Sequence, residues 1–135
     1  MILQKKYFKD FHITTSKLIM NKDLNASQAL FGGLLVQWVD EAAAIFCMDV
    51  LKTNQVVTKK ISEILYNHPA RLGDILDFYF RVKQLGRTSI TIETLVKTKV
   101  IQSNEIVKEI LKCDMVFVKV NSLGQPEPHE CQEEA

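Results

Sequence analysis

The sequence predicts an α+β fold in which one antiparallel sheet wraps a single long helix. Three observations carry that expectation. Residues 30–51 form an apolar run that is too long for a strand, residues 74–120 contain three stretches of period-two alternation, and short polar connections separate those stretches. The chain has 135 residues, enough for one sizeable core and too few for a second, with 47% apolar and 24% charged residues, the profile of an ordinary soluble protein.

A basic, aromatic lead-in precedes residues 12–20 (HITTSKLIM), whose mix of β-branched and apolar side chains suits a first strand. Residues 21–28 are polar and turn-like and deliver the chain to the helix, with Asn25 or Ser27 placed to cap it. The helix is apolar on nearly every face, which implies burial on all sides, and its end is expected near Thr53 and Asn54. Residues 55–64 (QVVTKKISEI) are rich in β-branched residues and make a second strand, and residues 66–74, with Pro69 and Gly73, form a loop. Next, Leu76, Phe78, Phe80 and Val82 alternate with Asp77, Tyr79, Arg81 and Lys83, as in a strand covered on one face. Gly86 and Arg87 connect tightly to residues 88–101, where Ile90, Ile92, Thr94 and Val96 keep the same period. A polar break at residues 102–104 leads to a last long strand over about residues 105–120. The folded unit is therefore expected over residues 1–121. Residues 122–135, with almost no apolar residues, are expected to be disordered. A sheet curved around one helix leaves a side of the helix and an edge of the sheet uncovered, so an edge-to-edge dimer is expected rather than a monomer.

With 17 basic and 16 acidic residues the net charge is +1, which gives no electrostatic reason to expect a nucleic-acid or membrane partner. The N-terminus has no long apolar core and no small-residue cleavage site, so no export signal is expected. Cys47, Cys113 and Cys131 lack metal-ligand spacing and read as reduced thiols of a cytoplasmic protein, with no metal expected. His12, His68 and His129 have no acid at a recognisable spacing and are assigned to structure or solvent.

Four motifs then stand out in order: NASQALFGGLLVQWVDEAAAI, PARLGD, LGRTSI and VFVKVNSLGQPEP. Together they resemble the acyl-CoA thioesterases of the hotdog fold, whose pattern runs Asn-Ala, Phe-Gly-Gly and then an Asp on the central helix. Gln28 stands where that family usually has glycine, and LYNHP replaces a more apolar segment. The resemblance implies hydrolysis of acyl-CoA to a free acid and coenzyme A, with no cofactor, since coenzyme A is part of the substrate. It also implies a homodimer as the minimal unit, assembled further into a hexamer or a tetramer.

Thioester hydrolysis needs a water activated near the carbonyl carbon, or a carboxylate that attacks it, and donors for the oxygen that becomes negative. Asp40 can supply the first, or it can be a satisfied polar residue bonded to a neighbouring backbone or to Gln37. The resemblance places the family's catalytic carboxylate here. Glu41 faces about 100° away on the helix and suits a structural pair. The backbone N–H of Gly32, or else that of Gly33, is the candidate oxyanion donor, unless the glycines serve only close packing. Eight helical residues rise roughly 12 Å, so Gly32 and Asp40 of one chain cannot both reach one carbonyl group. The resemblance accordingly implies that Asn25 of one subunit faces Asp40 of another and positions the water or the thioester carbonyl; read alone, Asn25 is a cap or turn residue. Arg87, Thr88 and Ser89 are candidates for the phosphate and pantetheine groups, or form an ordinary hairpin turn with a solvated Arg. Lys59, Lys60 and Arg71 are weaker candidates that also read as surface charges. Phe31, Leu35, Trp38 and Phe46 could shape an acyl tunnel or belong to plain core. A different reading of the same fold is an acyl-CoA-binding or sensory module without turnover.

Overall fold

In the computed structural model, which describes residues 1–135, the chain runs β1 (Ile2–Leu3), α1 (Lys6–Lys9), β2 (His12–Leu18), a 3₁₀ turn at Asn21–Asp23, α2 (Gly32–Leu51), β3 (Val56–Ile61), β4 (Leu65–Tyr66), β5 (Ile75–Leu85), β6 (Ser89–Thr98), β7 (Glu109–Lys119) and β8 (Gln132–Glu133). The large sheet has the order β2-β5-β6-β7-β3, every pair antiparallel, with the two residues of β4 added to β7. β5, β6 and β7 are the meander that the alternation predicts. Their apolar phase (Phe78, Phe80, Val82, Ile90, Ile92, Val96, Met115, Phe117) joins the buried residues of α2 in one core. The opposite phase is polar and carries ion pairs between strands, Arg81 to Glu93 at 2.8 Å and Lys83 to Asp114 at 2.6 Å. This is the hotdog arrangement, a sheet curled around a central helix. No helix is long and apolar enough to cross a membrane.

The helix departs from the expectation of burial on all sides. Its i, i+4 rows divide by exposure. Leu35, Val39, Ala43, Cys47 and Leu51 are buried, as are Trp38, Ala42, Phe46 and Val50. Gly32, Val36, Asp40, Ala44 and Met48 are half-buried, and Gly33, Gln37, Glu41, Ile45 and Asp49 are exposed. The sheet of one chain therefore covers two rows, half-covers a third and leaves the fourth open. Gln37 and Glu41 on the open row bond each other at 3.4 Å, the structural pair expected of Glu41.

Neither Asn25 nor Ser27 caps this helix. Phe31 holds the cap position and makes no side-chain cap bond. Asn25 instead organises the preceding loop, its Oδ1 accepting the N–H groups of Ser27 at 2.9 Å and Ala29 at 3.2 Å. The loop is pinned by Asp23, whose carbonyl accepts the Phe31 N–H at 2.9 Å and whose buried carboxylate accepts from the Met20 N–H and the Lys22 ammonium. Those two donors, Met20 foremost, hold the Asp23 carboxyl below the usual carboxylate range.

The expected disorder of residues 122–135 is also corrected. After a turn in which Asn121 Oδ1 accepts the N–H groups of Leu123 and Gln125, the chain returns along β7, with Val120 bridged to Pro126, and ends as β8 in a parallel pair with β1. Composition misleads here because the segment needs few apolar residues. Cys131 alone reaches the core, at 6% exposure, while neighbouring backbone satisfies the polar groups.

Candidate functional site

The candidate residues fall into two groups at different places along α2. The first lies at the N-terminus of the helix. The first-turn amides of Gly32, Gly33 and Leu34 donate to no acceptor of the chain, as the opening amides of a helix without a side-chain cap must. The Asn25 loop stands before them, and an isolated bridge between Ala29 and Arg71 ties it to the loop ahead of β5. Arg71 is exposed and belongs to this group. The Tyr66 hydroxyl reaches the Gly32 carbonyl at 3.4 Å, and Tyr66, Leu30, Leu35, Pro69 and Ile110 line an apolar cleft of ≈ 210 Å³ that opens on Gly32. A Cβ on Gly33 would meet only the exposed Phe31 ring, which can swing aside, so packing within the chain does not require glycine there.

The second group surrounds Asp40. Asp40 is half-buried and accepts a hydrogen bond on Oδ1 from the Thr58 hydroxyl of β3 at 2.7 Å. No group of the chain donates to its Oδ2. The partner is thus neither Gln37 nor a neighbouring backbone, and one carboxylate oxygen is held in place while the other is open to water. Thr58 also lines a cleft of ≈ 250 Å³ with Val57, Lys59, Thr88 and the returning segment at Gly124 and Pro126. The structure therefore brings Asp40, Lys59 and Thr88 to one side of the molecule. Lys60, on the same strand, is exposed. Arg87 and Ser89 flank Thr88 in the β5–β6 turn, with the Arg87 side chain exposed. Gly86 opens that turn, its N–H donating to the Ser89 carbonyl at 2.9 Å.

Gly32 and Asp40 share one row of α2, two turns apart, which is roughly 12 Å along the axis. A single thioester carbonyl cannot touch both.

Comparison with known proteins decides what this arrangement belongs to. Residues 28–103 match the model of the thioesterase superfamily. The chain belongs to that superfamily. Among its relatives, an acyl-CoA thioester hydrolase YciA of Salmonella typhimurium is 31% identical over 113 residues, covering 82% of this chain and 84% of the relative. The hexameric thioesterase y2039 of Yersinia pestis has a similar structure, with a TM-score of 0.79 at 26% identity over 87% of this chain and 93% of that one. An acyl-CoA hydrolase of Staphylococcus aureus, solved with butyryl coenzyme A and coenzyme A, shares the fold at a TM-score of 0.82, 23% identity, 99% of this chain and 79% of that one.

The histidines outside the two groups have structural partners. His12 Nε2 lies 2.9 Å from the Lys6 carbonyl and His68 Nδ1 lies 2.9 Å from the Glu109 carbonyl. All three cysteines are free and buried. Desolvation pushes the Cys47 thiol up strongly and the Cys113 thiol up to about 11, which keeps both in the unreactive protonated form. Of the four residues considered for an acyl tunnel, Trp38 and Phe46 are core residues, Phe46 stacked on Phe80 at 5.6 Å, while Phe31 is 56% exposed; only Leu35 lines the apolar cleft. Thr58 and Tyr66 escape sequence reading. No local pattern singles out a threonine that meets an acid 18 residues earlier, or a tyrosine that reaches a glycine 34 residues earlier.

Proposed function

We propose that the protein hydrolyses acyl-CoA thioesters, giving a free acid and coenzyme A. The observation that carries this reading is the half-satisfied Asp40 carboxylate, aimed by Thr58 and on the same helix row as a free amide turn. The hydrolase relatives and the coenzyme A complexes of similar structures support the substrate class. With Asp40 as general base, water attacks the carbonyl carbon and gives its proton to Oδ2. The carbonyl oxygen then becomes negative against the N–H of Gly32, or that of Gly33. Collapse restores the carbonyl, breaks the carbon–sulfur bond, and returns the proton to the leaving thiolate. As a nucleophile, Asp40 would instead form the bond to carbon itself and water would release the acid.

Because one chain holds its acid and its amides too far apart, each reaction centre takes Asp40 from one subunit and Asn25, Gly32 and Gly33 from another. Asn25 suits this role, since its Oδ1 is committed to the loop and its Nδ2 is left to donate. The open edge of β3 and the half-buried helix row beside it supply the contact surface of a dimer, and the hexameric relatives support further assembly. The apolar cleft beside Tyr66 receives the acyl chain, and Arg87, Thr88, Ser89 and Lys59 meet the coenzyme A end, with Arg71 a further cation near the amide turn. Three free thiols suit the reducing cytoplasm.

Asp40→Asn and Asp40→Ala are expected to lower kcat by roughly 10²- to 10⁴-fold with the fold and mass unchanged. Thr58→Val should cost less, about tenfold, because it removes one orienting hydrogen bond. Thiol release from acyl-CoAs measures all three. A folded Asp40→Ala protein of full activity would end the assignment.

A further inference from the structure

The β5–β6 turn is held from outside by the C-terminal segment, and one residue makes the decisive contacts. Three successive carbonyls of the turn are all occupied. The Arg87 carbonyl accepts the His129 N–H at 3.2 Å, the Thr88 carbonyl accepts the Lys119 N–H at 2.9 Å, and the Ser89 carbonyl accepts the Gly86 N–H at 2.9 Å. His129 Nε2 lies 2.9 Å from that same Ser89 carbonyl. The ring's tautomer follows from its other nitrogen. Cys131 N–H donates to His129 Nδ1 at 3.0 Å, so Nδ1 is bare, and Nε2 carries the proton and donates to Ser89. Two of the four bonds on the turn therefore come from His129, and they grip the residues on either side of Thr88.

The His129 ring is itself fixed. Cys131 is buried among core residues, Glu127 N–H bonds the Lys119 carbonyl at 2.9 Å, and β8 pairs with β1. The same segment supplies Gly124 and Pro126 to the cleft that Thr58 and Thr88 line. Walls of Val57, Val118, Val120 and Pro126, with Thr88 and Lys59 beside them, suit a chain that is apolar along its length and carries polar groups. Arg87 stands exposed at the adjacent turn, its guanidinium donating to no group of the chain.

We propose that residues 121–131 form a wall of the coenzyme A end of the site and that His129 is a positioning residue, setting the turn from which Arg87 and Thr88 meet the pantetheine and phosphate groups. This rests on the acyl-CoA hydrolase reading, and the strap contributes to recognition of the carrier rather than to the chemical step.

The test is steady-state kinetics of the full chain on two thioesters, butyryl-CoA and S-butyryl-N-acetylcysteamine, which keeps the reacting group and lacks the nucleotide. His129→Asn retains an acceptor for the Cys131 N–H and is too short to reach Ser89, whereas His129→Gln can still donate to Ser89. His129→Asn and His129→Ala are expected to raise KM for butyryl-CoA about three- to tenfold, with kcat and the truncated ester unaffected. His129→Gln should recover most of the loss, and Arg87→Ala should raise KM for butyryl-CoA alone. If Arg87→Ala raises KM while neither His129→Asn nor His129→Ala does, the strap has no positioning role and the hydrolase reading stands. An equal loss on both esters would reduce His129 to a general stabilising residue and overturn the proposal. A wild-type protein that cleaves no butyryl-CoA or other acyl-CoA would overturn the hydrolase reading and the strap together.

Discussion

Gln28 sits in the loop before the helix with φ at +62°, in the left-handed region where a side chain crowds its own backbone. Glycine is the residue that this conformation favours. Gln28→Gly is expected to stabilise the protein by about 0.5–1 kcal/mol, the relief of crowding being partly offset by greater freedom of the unfolded chain. A thermal melt should show Tm higher by roughly 2–4 °C, and a lower Tm would mean that the glutamine side chain contributes a contact of its own. Single residues also mark the limit of sequence reading. Asp40 is legible as an acid, with Glu41 beside it, in the middle of an apolar helix run. Its partner Thr58 is not, because the contact exists only once β3 has docked beside the helix. Asn25 is legible as a turn residue, and its free amide hydrogens are known only from the two bonds its oxygen makes.

Elements long enough to show a period were read correctly. β5, β6 and β7 each carry ten or eleven residues, and α2 spans 20. β1, β4 and β8 have two residues apiece and can show no period at all; β4 forms on the backbone of the longer β7, and β1 and β8 pair only with each other, where distant parts of the chain meet. The misjudged side of α2 has a similar cause. Gln37, Glu41 and Asp49 lie on one row, and Gly33 and Ile45 on that row hide its polarity. Beside it the half-buried row offers Val36, Ala44 and Met48 next to the unpaired edge of β3, a strip that a second copy would cover. Ala44→Glu puts a charge one helical turn beyond Asp40 in that strip. Light scattering should then give the mass of one chain, and activity should fall along with the mass. An assembled, active Ala44→Glu protein would show that subunits meet elsewhere.

At the scale of the whole molecule the two ends of the chain hold each other. The amino terminus bonds the Glu130 carbonyl at 2.8 Å, Lys5 N–H bonds the Glu134 carboxylate at 2.8 Å, and β1 pairs with β8. Leu3 and Cys131 are buried through this closure. Truncation after Glu127 removes Cys131 and strips Leu3 of cover, and is expected to lower Tm by roughly 5–15 °C, read by calorimetry; an unchanged melt would mean that the closure contributes nothing. A chain whose first and last strands are neighbours can also be re-cut. A few glycines could join residue 135 to residue 1, and a break in the exposed connection at residues 102–105 would give a circular permutant with the same contacts made in a different order. In such a protein the segment that grips the β5–β6 turn would lie in mid-chain, with β6 the last strand to be made.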